Sequence, residues 1–125
     1  MIMWRFLLVV LSVSLLGCGP NCSDFKKGRF KLEGQYASDI IVERDDMVQV
    51  ESSVEGKYKN EFFLDWIDDC NYSLVLKYSD NSSSISLGPQ DTLKVEIVET
   101  NGDRCLTVAK LDDLRFEVYQ VKMND

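Results

Sequence analysis

Residues 72–78 read Tyr72-Ser73-Leu74-Val75-Leu76-Lys77-Tyr78, and this stretch decides the fold because large apolar side chains occupy every second position. Alternate side chains of an extended strand point to opposite faces, so Tyr72, Leu74, Leu76 and Tyr78 are expected on one face. The alternation is the cleanest in the chain. It predicts a β-strand with one face against an apolar core.

Similar rows recur on both sides of this stretch, and turn residues separate them. The rows expected to face the core are Phe30 and Leu32; Ile40 and Val42; Val48, Val50 and Val54; Phe62, Leu64 and Trp66; Leu93, Val95 and Ile97; Leu106 and Val108; and Phe116 and Val118. Asn101-Gly102 is the strongest hairpin signal. Short connections require antiparallel neighbours, so the natural topology is a meander.

The chain is therefore predicted to be all-β, an antiparallel meander of about eight short strands. Such a meander hides its edges as a small lipocalin-like barrel or as a curled sheet. The interior of an eight-stranded barrel is either just filled by side chains or holds one small ligand. The bulk of Phe30, Phe62, Trp66, Tyr72 and Phe116 favours a filled core.

An uncharged apolar run from Phe6 to Leu16 lies at the N-terminus and is followed by Gly17 and Cys18. The run is too short to span a bilayer and is typical of a signal peptide. Leu15-Leu16-Gly17-Cys18 resembles the lipobox of bacterial lipoproteins, which implies cleavage before Cys18 and a diacylglyceryl group on its sulfur. We thus expect a signal peptide at 1–17, a short lipidated tether at 18–24 and a β-domain at 25–123.

The net charge limits what the exported domain binds. Removal of residues 1–17 from the 125-residue chain takes Arg5 away and leaves 13 basic against 21 acidic residues, a net charge of −8. That balance argues against nucleic acid and anionic headgroups as partners. Membrane attachment would then depend on the lipid, whose two acyl chains anchor stably. Gly19 after the cysteine fits sorting to the outer membrane rather than the inner one.

The absence of histidine lowers the expectation of catalysis. The sequence contains no histidine, so Ser-His-Asp and Cys-His sites and imidazole-ligated zinc are excluded. The acidic pairs Asp45-Asp46, Asp68-Asp69 and Asp112-Asp113 lack the spacing of a calcium loop and each falls at an expected turn. We expect no enzyme activity, no metal and no cofactor, with carboxylate catalysis as the lowest-ranked hypothesis.

Three cysteines besides Cys18 allow one disulfide and one leftover thiol in an oxidising compartment. Cys22 lies just before the first strand row, and Cys70 opens a later one. We favour Cys22–Cys70, whose loop closure contributes about 4 kcal/mol in the chain-entropy model. A pairing through Cys105 stays open.

Trp66, Cys70 and Tyr72 form a compact pattern, and two interpretations of its aromatic residues are possible. Phe62, Trp66 and Tyr72 are either core residues on facing strands or the lining of a ligand-binding mouth. Phe63 and Ile67 alternate with this row, so both are expected on the outer face. If they are exposed, they would mark a surface for a partner.

Two resemblances concern the domain itself. Gly28-Arg29-Phe30 resembles the Gly-x-Trp motif of lipocalins, with Phe30 in the position of tryptophan. The wider layout resembles small uncharacterised lipoproteins of Bacteroidota-type bacteria and implies location and architecture only. The residues that carry this likeness are Cys22, Phe25, Gly28, Phe30, Trp66, Cys70 and Tyr72.

Two functions remain in view from the sequence. The first is a non-enzymatic, membrane-anchored binding or scaffold domain of the cell envelope with a protein partner. The alternative is a lipocalin-like carrier of a small apolar ligand. An apolar cavity inside the barrel would favour the carrier. A solid core with exposed Phe63 and Ile67 would favour the binding domain.

Overall fold

A computed structural model of the chain describes residues 20–34, 39–80 and 87–124. These residues form a closed barrel of eight antiparallel strands in sequence order, with the first strand paired to the last. The all-β prediction and the lipocalin-like barrel are confirmed. Closure leaves no unpaired edge strand, because every strand has two neighbours.

The strands are short and are joined mostly by tight turns. Their bounds are β1 Gly28–Glu33, β2 Ile40–Arg44, β3 Val48–Ser53, β4 Lys59–Trp66, β5 Asn71–Ser79, β6 Thr92–Asn101, β7 Arg104–Leu111 and β8 Leu114–Lys122. A short 3-10 helix, Cys22–Phe25, precedes them and covers one end of the barrel, which we call the plugged end. Strands β2, β4, β6 and β8 finish there, and the opposite end is called the far end.

Large side chains fill the barrel interior. Phe30 and Tyr72 are almost completely buried, and Leu74 and Ile97 lie against them in the same core. Phe62 belongs to this core as well. The bulk that the sequence places inward therefore occupies the middle of the barrel.

Strand β3 faces the barrel the opposite way from the sequence prediction, which was wrong for Val48 and Val50. The register places Gln49 opposite Arg44 on one side and opposite Phe62 on the other, and Gln49 is buried. Arg44 continues the inward row of β2, and Gln49 accepts a hydrogen bond from it. The polar partner inside the barrel, rather than the valines outside, sets which face of β3 points inward.

Strand β7 is reversed in the same way, so the prediction of Leu106 and Val108 as its inward row was also wrong. Cys105 and Thr107 face the interior instead and are both buried. The Thr107 hydroxyl donates a 2.7 Å hydrogen bond to the carbonyl of Val118, which removes the cost of burying it. Val108 is buried on the other face of the same strand.

A β-bulge explains why Tyr78 lies outside although Leu76 lies inside. Glu61 pairs with Tyr78 and Phe62 with Leu76, so β5 has one extra residue, Lys77, at this point. The extra residue reverses the inward and outward alternation of β5 beyond it. Tyr78 is consequently exposed, and Ser79 takes the inward position. Val54, also expected inside, is exposed because it lies in the turn after β3.

The turns at the acidic pairs have the roles that their sequence predicts. One carboxylate oxygen of Asp45 accepts hydrogen bonds from the backbone N–H groups of Met47 and Val48, each 2.8 Å. Asp68 accepts hydrogen bonds from the side-chain amide of Asn71 at 3.0 and 3.1 Å and from the backbone N–H of Cys70 at 2.8 Å. These bonds favour the charged form and lower the pKa of both carboxyl groups. Among the described residues, no cluster of acidic, cysteine or histidine side chains is placed to hold a metal ion.

The lipobox Leu15-Leu16-Gly17-Cys18 and the expected signal peptide 1–17 lie outside the described residues. Of the expected tether 18–24, residues 22–24 belong to the 3-10 helix. Over the described ranges, the chain has no helix with the length and apolar character needed to cross a membrane. Residues 22–24 are held against the barrel through the helix and the disulfide of Cys22.

Candidate functional site

The 3-10 helix is fastened to the barrel at several points, and one of them is covalent. Cys22 and Cys70 form the disulfide that the sequence favours, which joins the helix to the turn between β4 and β5. Phe25, the last residue of the helix, buries its side chain, and its ring centroid lies 6.1 Å from that of Phe30. Cys105, the remaining thiol, is unpaired and buried inside the barrel. Burial raises the pKa of its thiol to about 11.

A buried arginine lies directly above this helix. The guanidinium of Arg44 donates a 2.6 Å hydrogen bond to the backbone carbonyl of Phe25, the last residue of the 3-10 helix. It also donates to Gln49 Oε1 at 3.0 Å and to the Tyr72 hydroxyl at 3.4 Å. Its carbon centre lies 4.4 Å from the centroid of the Phe30 ring, a cation–π contact. We call the 3-10 helix Cys22–Phe25 the plug. Arg44 thus connects the plug to three strands.

The Tyr72 hydroxyl links this cluster to the last strand. Gln120 donates to it through Nε2 at 3.0 Å, so the hydroxyl accepts from both sides of the barrel. Burial raises the pKa of Tyr72 and keeps the phenol neutral. Arg44 Nε and Gln120 Oε1 are buried without a hydrogen-bond partner in the described structure. Each such atom lowers stability, because its hydration is lost without replacement.

Glu51 adds a carboxyl group to the ionisable side chains inside the barrel. The register places it between Val42 and Asn60, facing the interior of the barrel. Gln49 Nε2 donates a 3.2 Å hydrogen bond to its carboxylate. Desolvation outweighs this bond and the attraction of Arg44, and it raises the pKa of Glu51 to about 7.

The aromatic residues singled out in the sequence lie in the core. Phe62 and Tyr72 are buried, and Trp66 is partly buried at the plugged end. The rings of Trp66 and Tyr72 are 4.5 Å apart between centroids and tilted, a packing arrangement that stabilises the pair. Their contacts are with one another and with the plug, where Lys26 lies over the indole at 5.2 Å.

The outer wall of the barrel carries an apolar surface in which Phe63 is exposed and its two valine neighbours are half-buried. Phe63 is 54% exposed at the middle of β4, and the register places Val48 and Val75 directly opposite it on the two neighbouring strands. The ammonium group of Lys77 lies 5.5 Å from the centroid of the Phe63 ring. We call Val48, Phe63 and Val75 the Phe63 surface. Outward positions of an antiparallel strand are ordinarily polar, so three apolar side chains in one row are unusual.

Ile67, expected to accompany Phe63, is also exposed but lies apart from it in the turn after β4. It borders a shallow depression of about 170 Å³ together with Val108 and Lys110. A larger groove of about 490 Å³ lies beside Pro20, where the described chain begins, and Leu106 and Tyr119 line it. Both depressions open to solvent.

The sequence did not single out the interior polar cluster of Arg44, Gln49, Glu51 and Gln120. The sequence did contain one signal for Arg44. It lies two positions after Val42, and alternate residues of a strand share a face, so an inward Val42 implies an inward Arg44. Nothing in the sequence indicated that Gln120 would meet a hydroxyl from β5. Such a pairing depends on barrel closure across residues far apart in the chain.

Comparison with known proteins finds no match to this chain among family models, curated proteins or solved structures. The barrel, its plug and its surfaces are therefore the basis for assigning a function. A fold of this kind supports several kinds of binding, so the surfaces decide between them.

Proposed function

We propose that the protein is an exported envelope lipoprotein, anchored through a lipid on Cys18, whose barrel binds a protein partner and performs no chemistry. The Phe63 surface is the observation that carries the binding role. It is apolar and lies on the paired strands of the outer wall, next to Met47 in the turn at the plugged end. Exposed apolar rows of this kind mark interaction sites on soluble domains.

The anchoring part of the proposal is supported by the lipobox in the sequence and by the disulfide. A disulfide between Cys22 and Cys70 is expected in an oxidising compartment and fits export. The absence of histidine supports a non-enzymatic role, since the commonest general base is missing. Outer-membrane sorting remains part of the proposal through Gly19.

The carrier alternative requires interior space for an apolar ligand. The core is occupied by Phe30, Phe62, Tyr72 and Leu74, and the interior beside the plug contains the guanidinium of Arg44 and the carboxyl group of Glu51. These features favour the binding domain over the carrier. A small apolar molecule bound to purified protein would reverse that preference.

Photo-crosslinking in the producing cells tests the binding role. A photoreactive amino acid replaces Phe63 in one variant and Arg115, on the exposed face of β8, in a matched control. We expect a discrete crosslinked product from position 63 and none from position 115. Introduction of Val75→Asp beside the probe should remove the product. Equal crosslinking from both positions would refute the Phe63 surface as the binding site.

A further inference from the structure

Three independent contacts hold the start of the described chain against the plugged end of the barrel. The N–H of Asn21 donates a 2.8 Å hydrogen bond to the Thr100 hydroxyl near the end of β6. The Cys22–Cys70 disulfide fixes the next residue to the turn after β4. Arg44 then holds the Phe25 carbonyl. The chain therefore cannot swing away from this end without breaking a covalent bond.

Very little chain separates these contacts from the expected lipid. Only Gly19 lies between Cys18 and Pro20, and two residues of extended chain reach about 7 Å. The longest strands, β4 to β8, have eight to ten residues. At about 3.3 Å per residue, such strands place the far end roughly 20–30 Å away, depending on their tilt. A lipid on Cys18 therefore lies close to the plugged end and far from the other.

Exposed apolar side chains occur at both ends and do not by themselves decide between them. Met47 and Ile67 are 72% and 64% exposed in the turns at the plugged end. Val54 and Leu114 are 56% and 57% exposed at the far end. The position of the anchor is what distinguishes the two pairs.

Two of the four carboxylates beside Met47 and Ile67 are paired with nearby lysines. Lys27 Nζ lies 2.9 Å from the carboxylate of Asp46, the neighbour of Met47. Lys26 Nζ lies 2.8 Å from that of Asp69 in the turn that contains Ile67. Neutral pairs reduce the repulsion that bare acidic turns would meet at a membrane surface.

We propose that the plugged end of the barrel faces the lipid surface, with Met47 and Ile67 at the membrane interface, and that the far end points away. This orientation rests on the proposed lipid anchor at Cys18. It leaves the Phe63 surface on the side wall, accessible to a partner anchored in or approaching the same membrane.

Depth-dependent fluorescence quenching tests the orientation on the full lipidated protein. Single substitutions Met47→Cys and Ile67→Cys carry a thiol-reactive fluorophore at the plugged end, and Val54→Cys and Leu114→Cys are the matched controls. Cys105 is buried with a raised thiol pKa, so the unsubstituted protein should take up no label. Each protein is reconstituted into phosphatidylcholine vesicles containing a nitroxide-labelled lipid, and flotation with the vesicles is measured in parallel.

We expect strong quenching at positions 47 and 67 and little at positions 54 and 114. Equal quenching at both ends, or stronger quenching at the far end, in protein that floats with the vesicles overturns the orientation but leaves the anchor intact. Protein that carries no lipid and does not float overturns the anchor, and the orientation with it.

Discussion

Replacement of Glu51 by glutamine is expected to stabilise the protein at pH 8. The carboxyl group lies inside the barrel, where desolvation raises its pKa from 4.5 to about 7. A group with a raised folded-state pKa binds its proton more tightly when folded. Its contribution to stability is fully present below pH 4.5 and is lost as the pH rises through 7.

The size of the effect follows from the two pKa values. A difference of about 2.5 units corresponds to about 3 kcal/mol, at 1.36 kcal/mol for each unit. This is an upper limit, because part of the Glu51 side chain remains in contact with solvent. Glu51→Gln should therefore raise the free energy of unfolding at pH 8 by up to about 3 kcal/mol and change it little at pH 4.5.

Urea denaturation followed by Trp66 fluorescence between pH 8 and pH 4.5 measures this difference. The parent protein should gain stability as the pH falls across this range, and Glu51→Gln should be nearly flat. Asp45 and Asp68 interfere little, since their lowered pKa values confine their effect to pH below about 5, at the lower edge of this range. Glu117→Gln, an exposed carboxylate on β8, should follow the parent. A Glu51→Gln variant that is less stable than the parent at pH 8 would refute the reasoning.

Three further predictions concern the plug, the buried hydroxyl and the Phe63 surface. The double variant Cys22→Ser/Cys70→Ser should lose up to about 4 kcal/mol in urea denaturation, because the bridge spans 48 residues, and equal stability would contradict the role of the plug. Tyr72→Phe leaves Gln120 without its acceptor and should cost about 1–3 kcal/mol; an unchanged unfolding midpoint would argue against the polar cluster. Phe63→Asp should change stability by less than about 1 kcal/mol yet abolish partner crosslinking from a photoreactive probe moved to position 75, and a large stability loss would show that Phe63 is structural.

The barrel itself was accessible from sequence because apolar residues alternate through its strongest rows, although the bulge turns Tyr78 of the clearest row outward. Tyr72, Leu74 and Leu76 in β5 and Phe62 and Leu64 in β4 face the core as their spacing predicts. Short connections then leave the meander as the only simple topology. The sequence left a closed barrel and a curled sheet as alternatives, and the pairing of β1 with β8 shows that the barrel is closed.

The assignment of faces failed where apolar residues occupy both sides of a strand. In β3, the face with Val48 and Val50 and the face with Gln49 could each point inward, and the hydrogen bond from Arg44 on the neighbouring strand places Gln49 inside. In β7, Leu106 competes with Cys105 in the same way. Periodicity locates the two faces of a strand, but the register with its neighbours determines which one is inside.

The candidate surfaces were predicted unevenly. The exposure of Phe63 and Ile67 followed from their alternation with Trp66, and the structure adds that they do not form one continuous row. The interior polar cluster could not be predicted, because Arg44, Tyr72 and Gln120 meet only when the barrel closes. The sequence pattern around each residue does not indicate contacts with residues so far away in the chain.

The central claim is that a solid barrel, anchored by lipid on Cys18, acts as a binding domain. Native mass spectrometry of the intact protein purified from the cells that produce it tests this claim most directly. The predicted result is a chain that begins at Cys18, carries a diacylglyceryl-type lipid and holds no small molecule. An unlipidated chain, or a barrel with a small apolar molecule bound, would contradict it.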